Sequence, residues 1–475
     1  MQTHLYQQIA ADYEGRILKG LLVRGEKLPS VRTLSRERAV SPTTIYQAYY
    51  QLEAKGLIEA RARSGYYVAY QASKRRSLGP VVRRPAPDPR SLNIREMMQR
   101  MDGMLDRGKW LRLSAAIPDA QYLPAARLQK CMLDALRENK SRSLGYAPAL
   151  GFEELRRLIV AQMMPWWRNP DAESLLITQG ATEALSLALR AICQAGDVIV
   201  MDELSYFGIH QLVESLGLKV IPIPQVGTDG LDVEYFEQVL GLFPIKAALF
   251  VPTFHNPTGA CLSEERKKRL VDVCTRFRVP LIEDDVYGAL HFGPRRPLPC
   301  KAYDEAGWVI YCSSFSKTLA PGYRIGYCNG GRFHAEIAWA KRVSSHSNSS
   351  VSQLCLARFL EVGRYQYHLQ KLRTALHANM LQYLAVLEAE MPEGVRFTAP
   401  DGGMVLWLEM NEGYDSLELF SLAQKEGILI SPGTIFSIQP GHRHCFRLSF
   451  TRPLDAEMRA AIRQLGLMVR NMSKE

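Results

Sequence analysis

Lys317 stands in Ser313-Ser314-Phe315-Ser316-Lys317-Thr318-Leu319-Ala320-Pro321-Gly322-Tyr323-Arg324, where an amine is flanked by groups able to hold an anion. A lysine amine condenses with an aldehyde, while the Ser314 and Ser316 hydroxyls and the permanent Arg324 guanidinium suit a phosphate. The motif therefore nominates a Schiff base with pyridoxal 5'-phosphate (PLP), although a lone lysine is usually a solvated surface charge. Gly180-Ala181-Thr182 offers a second phosphate cradle. It follows the strand-like Leu175-Leu176-Ile177-Thr178 and opens a helical run from Glu183 to Cys193. Backbone amides at such a start, with the Thr182 hydroxyl, bind anions, but Gly-x-Thr also marks ordinary bends. The acidic pair Asp284-Asp285 could otherwise hold a metal; no histidine cluster accompanies it, so no metal is expected.

These groups need a scaffold that gathers them. Apolar runs at 175–177, 198–200, 247–251, 280–282 and 309–311 alternate with helical segments. Runs buried on both faces imply a mostly parallel α/β sheet, in which ligand chemistry collects at strand ends. A chain of 475 residues, 47% hydrophobic, buries a large core and divides into two or more domains. No apolar run approaches the roughly 20 residues needed to cross a bilayer, and no apolar leader follows Met1, so a cytoplasmic protein is expected. The nine cysteines form no Cys-x-x-Cys pair and no zinc-like spacing with histidine, which favours reduced, buried thiols.

From about residue 110 to the C-terminus the chain resembles the fold-type I aminotransferases, on motifs that occur in that family's order. The lysine motif is one, and Asn256 in Asn256-Pro257-Thr258-Gly259 resembles the family's Asn-Pro-x-Gly signature. The resemblance implies that Asn256 bonds the cofactor's phenolate oxygen, Asp284 addresses the pyridine nitrogen, Tyr287 addresses that same oxygen, and Tyr206 stacks on the ring. A carboxylate against the ring nitrogen favours its protonated form and strengthens the electron sink. Asp285 competes for that role, and register relative to Tyr287 favours Asp284. Arg447 corresponds to an arginine that clamps an α-carboxylate, for which a planar guanidinium fork is suited. Tyr146, in Gly145-Tyr146-Ala147-Pro148, corresponds to a tyrosine that reaches the neighbouring subunit's phosphate and implies a homodimer with shared sites. A smaller C-terminal α+β subdomain is expected from about residue 350.

The net charge of +11 is unevenly spread: residues 1–92 carry 16 of the 59 basic and 7 of the 48 acidic side chains, a balance of +9 that leaves +2 for the rest. Such concentration suggests a polyanionic partner. Leu5, Ile9, Tyr13 and Ile17 recur every four residues and predict a helix with Gly20 as its stop. Ser30 caps a short helix with Val31 and Leu34 inside, leaving Arg32, Arg36 and Arg38 for solvent or phosphate. A third helix starts at Ser41 with Pro42 in its first position; Ile45, Ala48, Tyr49 and Leu52 line its inner face, and Gly56 ends it. Two strands, 57–62 and 66–70, follow around Arg63-Ser64-Gly65. This winged helix-turn-helix over residues 1–70, with Gly25-Glu26-Lys27-Leu28-Pro29-Ser30-Val31-Arg32 and Ser41-Pro42-Thr43-Thr44, resembles the GntR family of bacterial regulators. The resemblance implies that Arg32 contacts double-stranded DNA, that Thr43, Thr44 and Tyr46 face the major groove, and that Gly65 lets the wing approach the minor groove. Many relatives have arginine where this chain has Pro42, so direct guanine reading is not expected there.

Residues 71–92 are Pro- and Arg-rich and read as a linker without a packed element, spanning at most roughly 70 Å in extended form. For residues 93–475 the resemblance implies a PLP-binding effector and dimerisation domain. Together the regions resemble the MocR-type branch of GntR regulators. The resemblance implies a PLP-dependent transcriptional regulator that senses PLP, a small amine or an amino acid through aldimine chemistry at Lys317. The alternative is an active aminotransferase carrying a DNA-binding head.

Overall fold

The computed structural model describes residues 4–18, 21–61, 64–70, 84, 86–92, 110–167, 170–439 and 441–472. The head contains α1 (Leu5–Leu18), α2 (Val31–Glu37), α3 (Pro42–Ala54) and the antiparallel pair β1 (Ile58–Arg61) and β2 (Gly65–Val68). Both short helices start as their sequences require. The Ser30 hydroxyl accepts from the Thr33 amide at 3.1 Å, and the Ser41 hydroxyl accepts from the Thr44 amide at 3.2 Å. Val31, Leu34, Ile45, Ala48, Tyr49 and Leu52 are buried together with Ile9, Tyr13 and Ile17. Three sequence expectations need correction. Leu5 is 55% exposed because α1 has only begun to meet its neighbours there. Arg38 is not free, since it pairs with Asp12 of α1 at 2.6 Å. The wing strands are shorter than expected, their ladder running only from Ile58–Val68 to Arg61–Gly65. Gly20 and Arg63 lie outside the described residues.

The linker expectation fails at its C-terminal end. Arg84 forms two hydrogen bonds to Asp232, at 2.8 and 3.1 Å, and β3 (Arg90–Ser91) adds an antiparallel edge strand to the large sheet. A buried carboxylate needs a cation, and Arg84 supplies it. Residues 71–83 lie outside the described residues.

The large domain begins with β4 (Leu111–Arg112) and carries β5 (Leu175–Thr178), β6 (Val198–Asp202), β7 (Lys219–Ile223), β8 (Ala247–Phe250), β9 (Leu281–Asp284), β10 (Val309–Ser314) and β11 (Gly326–Asn329). Its eight-stranded sheet has the order β3-β7-β6-β8-β9-β10-β11-β5, parallel from β7 to β10. Helices cover both faces. Ile199 and Met201 join one apolar cluster while Val200, between them, joins another, as strand alternation demands. All five apolar runs named from sequence lie in this sheet; β7 and β11, which are less uniformly apolar, were not anticipated. The helix after Gly180 spans Ala181–Ile192, starting two residues before the expected run.

Beyond the long helix Tyr365–Glu390 lie β12 (Arg396–Phe397), β13 (Val405–Glu409), β14 (Ile428–Leu429), β15 (Ser431–Pro432) and β16 (Cys445–Ser449). β12, β13, β16 and β15 make an antiparallel sheet in that order, while β14 pairs with β4 from the other end of the domain. The architecture is thus a winged head, a mostly parallel α/β domain and a smaller C-terminal α+β subdomain. No helix among the described residues is long and apolar enough to cross a membrane.

Candidate functional site

A cavity of about 520 Å³ opens at the C-terminal ends of the parallel strands, between the large sheet and the C-terminal subdomain. Lys317 enters it from the turn after β10. Its ammonium donates to the Ala116 carbonyl at 2.8 Å and lies 5.9 Å from the centre of the Tyr287 ring. Burial, with the Arg447 cation nearby, pulls its pKa down to about 8, against the opposing pull of Asp284. Asp284 ends β9, and burial, reinforced by the Asp285 charge, pushes its carboxyl up to about 7. Its Oδ1 is buried without a partner. Asp285 points elsewhere: it accepts from the Tyr311 hydroxyl at 2.7 Å and is ion-paired with Arg296, and only Asp284 of the two lines the cavity.

An anion cradle stands opposite. The helix Ala181–Ile192 starts without a side-chain cap, so its first amides are free. Gly180 has φ +77°, and a Cβ there would meet Arg324 Nη2 at 2.6 Å; only glycine lets that guanidinium close over the helix start. Arg324 donates to the Gln179 carbonyl at 3.0 Å and to Ser316 Oγ at 3.3 Å. Ala181, Thr182, Ser314 and Ser316 line the same end of the cavity.

Asn256 bridges two of the other groups: its amide nitrogen is 3.4 Å from the Tyr287 hydroxyl and its oxygen accepts from Arg447 at 2.8 Å. Burial raises the Tyr287 hydroxyl well above its usual range. Arg447 is 3% exposed, contacts the Ser114 carbonyl, donates to Ser431 at 3.2 Å and keeps Nε unpaired. Burial brings its pKa down to about 10, so it remains a cation at neutral pH. Tyr206 lines the cavity, and a Cβ on Gly208 would strike its ring at 2.5 Å.

Of the sequence-predicted residues, Tyr146 is not brought in. It is 88% exposed, edge-on to His346 at 5.6 Å. The segment 114–117 was missed altogether. It contributes backbone carbonyls to Lys317 and Arg447, and a short run of small residues gives no sequence signal for that. These groups fit PLP: an amine, an acid with one unpartnered oxygen, a hydroxyl–amide pair and a free helix start with its arginine.

In the head, Arg32, Thr43 and Tyr46 are exposed, as is Gly65 at φ +107° in the wing. Thr44 is half-buried with its hydroxyl 2.8 Å from Ser41 Oγ, serving the helix start. Gln47 and Tyr50, exposed on the same face of α3, were missed. The opposite side of the head rests on the helix Tyr365–Glu390. Glu14 pairs with Lys55 at 2.6 Å and stands 3.4 Å from His377, whose ring stacks on Phe292 at 4.7 Å. Burial and the Lys55 charge hold His377 down to about 3, so the ring is neutral.

Comparison with known proteins divides the chain at the same places. Residues 5–68 match the family described as bacterial regulatory proteins, gntR family, and residues 109–465 match aminotransferase class I and II. The uncharacterized HTH-type transcriptional regulator YjiR of Escherichia coli is 34% identical over 97% of this chain and 98% of its own length. The HTH-type transcriptional regulator NorG of Staphylococcus aureus is 28% identical over 94% of this chain and all of its own. Among solved structures, an archaeal alanine:glyoxylate aminotransferase superposes with a TM-score of 0.75 at 27% identity, covering 80% of this chain and 96% of that one. A kynurenine aminotransferase of Pyrococcus horikoshii gives 0.73 at 27% identity, with 80% and 95% covered.

Proposed function

The chain belongs to the MocR-type regulators, a gntR-family head joined to a class I and II aminotransferase domain, and from that premise we propose that it is a DNA-binding transcriptional regulator that senses PLP or an amine at Lys317. PLP, when bound, supplies an aldehyde that condenses reversibly with amines and a conjugated ring whose absorbance reports the exchange.

The protein's own groups divide the work. Lys317, titrating near 8, is about one-tenth neutral at pH 7, against well under a hundredth for an ordinary lysine, so a nucleophilic amine is at hand. Asp284 addresses the ring nitrogen, Asn256 and Tyr287 the phenolate oxygen, and Tyr206 the ring face. Gly180, Ala181, Thr182, Ser314, Ser316 and Arg324 hold the phosphate. Arg447 orients the carboxylate of the amine ligand, and Tyr146 of a second copy completes the phosphate site in a homodimer, for which its exposure leaves it free. In the head, Arg32, Thr43, Thr44, Tyr46 and Gly65 meet DNA, in a protein that works in the cytoplasm. Residues 1–70 are the reading head, 71–92 the connection and 93–475 the sensing domain.

One observation carries this reading: α3 keeps Thr43 and Tyr46 open to solvent while the other side of the head, at Lys55 and Glu14, packs on the domain that holds Lys317. A ligand regulates only if it binds two arrangements of that contact unequally. The test is binding of the full chain to its promoter fragment with and without PLP, then with added amines. A change in affinity that disappears in Lys317→Ala is expected. Steady turnover of amino donor and keto acid at metabolic rates, with DNA affinity indifferent to PLP and amines, would establish an aminotransferase instead.

A further inference from the structure

The anion cradle holds a charge of the wrong sign. Glu183 lies in the first turn of the helix Ala181–Ile192, directly after Gly180-Ala181-Thr182, and its Oε2 accepts from the Gln179 amide at 2.6 Å. The carbonyl of that same Gln179 accepts from Arg324 at 3.0 Å. Along those bonds the carboxylate and the guanidinium that closes the cradle are at most about 10 Å apart. An acid in the first turn favours the helix, because it answers the positive end of the dipole. A phosphate brought to the neighbouring amides meets it as a like charge.

Lys341 answers that charge. It stands on the helix His334–Ser344, whose Ile337 and Ala340 join the apolar cluster formed by Ala184, Leu185 and Ala188 of the cradle helix. Its ammonium donates to Glu183 Oε2 at 2.8 Å and to Asn348 Oδ1 at 2.6 Å. The lysine is 0% exposed, and Asn348 is buried beside it. Burial lowers the Lys341 pKa, while the hydrogen bond and charge of Glu183 oppose that shift. Burying an ammonium is costly, and Glu183 is the carboxylate that offsets it. Neither residue lines the cavity, so both act on it through the backbone of Gln179 and through charge.

We propose that Lys341 is a positioning residue for the phosphate site: it cancels the Glu183 charge and keeps that carboxylate on the Gln179 amide, so that the helix start receives a dianionic phosphate ester. This inference rests on the PLP reading of the cavity. Without Lys341 the acid is left uncompensated beside the cradle and repels the phosphate, an effect of about tenfold in affinity. The penalty belongs to charge, so removing Glu183 as well cancels it. A brace that merely held two helices together would behave differently, because losing either partner would then weaken binding of every ligand alike.

The experiment titrates the cofactor-free, full-length protein with PLP and with pyridoxal, which offers the same aldehyde but no phosphate, following visible absorbance. Lys341→Met should weaken PLP about tenfold and leave pyridoxal within about twofold of the wild type. Glu183→Gln, whose amide oxygen still accepts from Gln179, should not weaken PLP. The double variant Lys341→Met/Glu183→Gln should restore it, and since it removes both partners it also serves if the single Lys341 variant does not fold. A second arm needs no aldehyde: inorganic phosphate should raise the melting temperature of the wild type and the double variant, and less so that of Lys341→Met. A phosphate preference that is present in the wild type and unchanged in Lys341→Met overturns the role of Lys341 alone. Equal weakening of PLP and pyridoxal, or loss of PLP affinity in Glu183→Gln and in the double variant, also overturns it and leaves a structural brace. A wild type that takes PLP no more tightly than pyridoxal, and gains nothing from phosphate, overturns the cradle reading and this proposal with it.

Discussion

The head and the cavity are opposite solutions to the problem of holding an anion. The residues proposed to meet DNA lie between 32 and 65 on short elements, with Arg32, Thr43 and Tyr46 open to water. The cavity draws its groups from positions 112 to 447 and takes Asn256, Asp284, Tyr287 and Arg447 out of water, so each charge among them must be matched or shifted. Where the head leaves its polar groups to water and screening, the cavity holds an acid pushed up to about 7 and an amine pulled down to about 8. Surface recognition tolerates substitution by degrees; a desolvated constellation depends on single atoms.

Lys317→Ala should break the comparison most sharply. It should abolish covalent retention of PLP, seen as loss of visible absorbance after gel filtration, while the cofactor-free protein binds non-specific DNA as the wild type does. Loss of both properties would show that the two regions are not separable.

Asp284→Asn has the next largest effect and a defined sign. The carboxyl titrates near 3.8 unfolded and near 7 in the cofactor-free fold, so its burial costs nothing below about pH 4 and progressively more up to about pH 7. The variant should therefore be more stable than wild type at pH 8, by up to ~4 kcal/mol, and no more stable at pH 4. It should also bind PLP more weakly. Chemical denaturation of the cofactor-free protein at the two pH values checks this.

The contact between head and sensing domain should show the reverse pH trend. His377 titrates near 6.5 unfolded and about 3 folded, so its contribution is complete above pH 6.5 and is lost as pH falls towards 3. At pH 5 the loss is ~2 kcal/mol. His377→Phe, which retains a ring to stack on Phe292, should flatten the difference in melting temperature between pH 7 and pH 5.

Arg32→Ala should produce the smallest change, ~1 kcal/mol of DNA affinity with a salt-dependence slope shallower by about one. It should leave PLP uptake untouched. Unchanged affinity across a salt titration would remove Arg32 from the interface.

The head was legible because its signals are local. Ser30 and Ser41 cap helices that begin within one residue of them, and the buried stripe of α3 repeats at helical spacing. Its errors were tertiary: nothing near Arg38 in sequence announces Asp12, 26 residues away. In the large domain, runs buried on both faces marked five strands, whereas β11, Gly-Tyr-Cys-Asn, has no such pattern and owes its place to pairing with β10 and β5. Arg84, in a stretch that looks like an extended linker, is tied down by a buried acid nearly 150 residues away.

The order and chemistry of the motifs follow from the sequence by itself: an amine among phosphate-binding groups, an acid near a tyrosine, a late arginine and a basic winged head. Residue types carry that information because an amine, a guanidinium and a carboxylate keep their chemistry wherever the chain puts them. Register relative to Tyr287 already favoured Asp284 over Asp285, but tertiary structure alone decided that Asp285 is taken by Arg296 and that Ala116 and Ser114 meet Lys317 and Arg447 with backbone oxygens. Burial and long-range pairing set those outcomes, since desolvation and counter-charge depend on what the rest of the chain packs around each group.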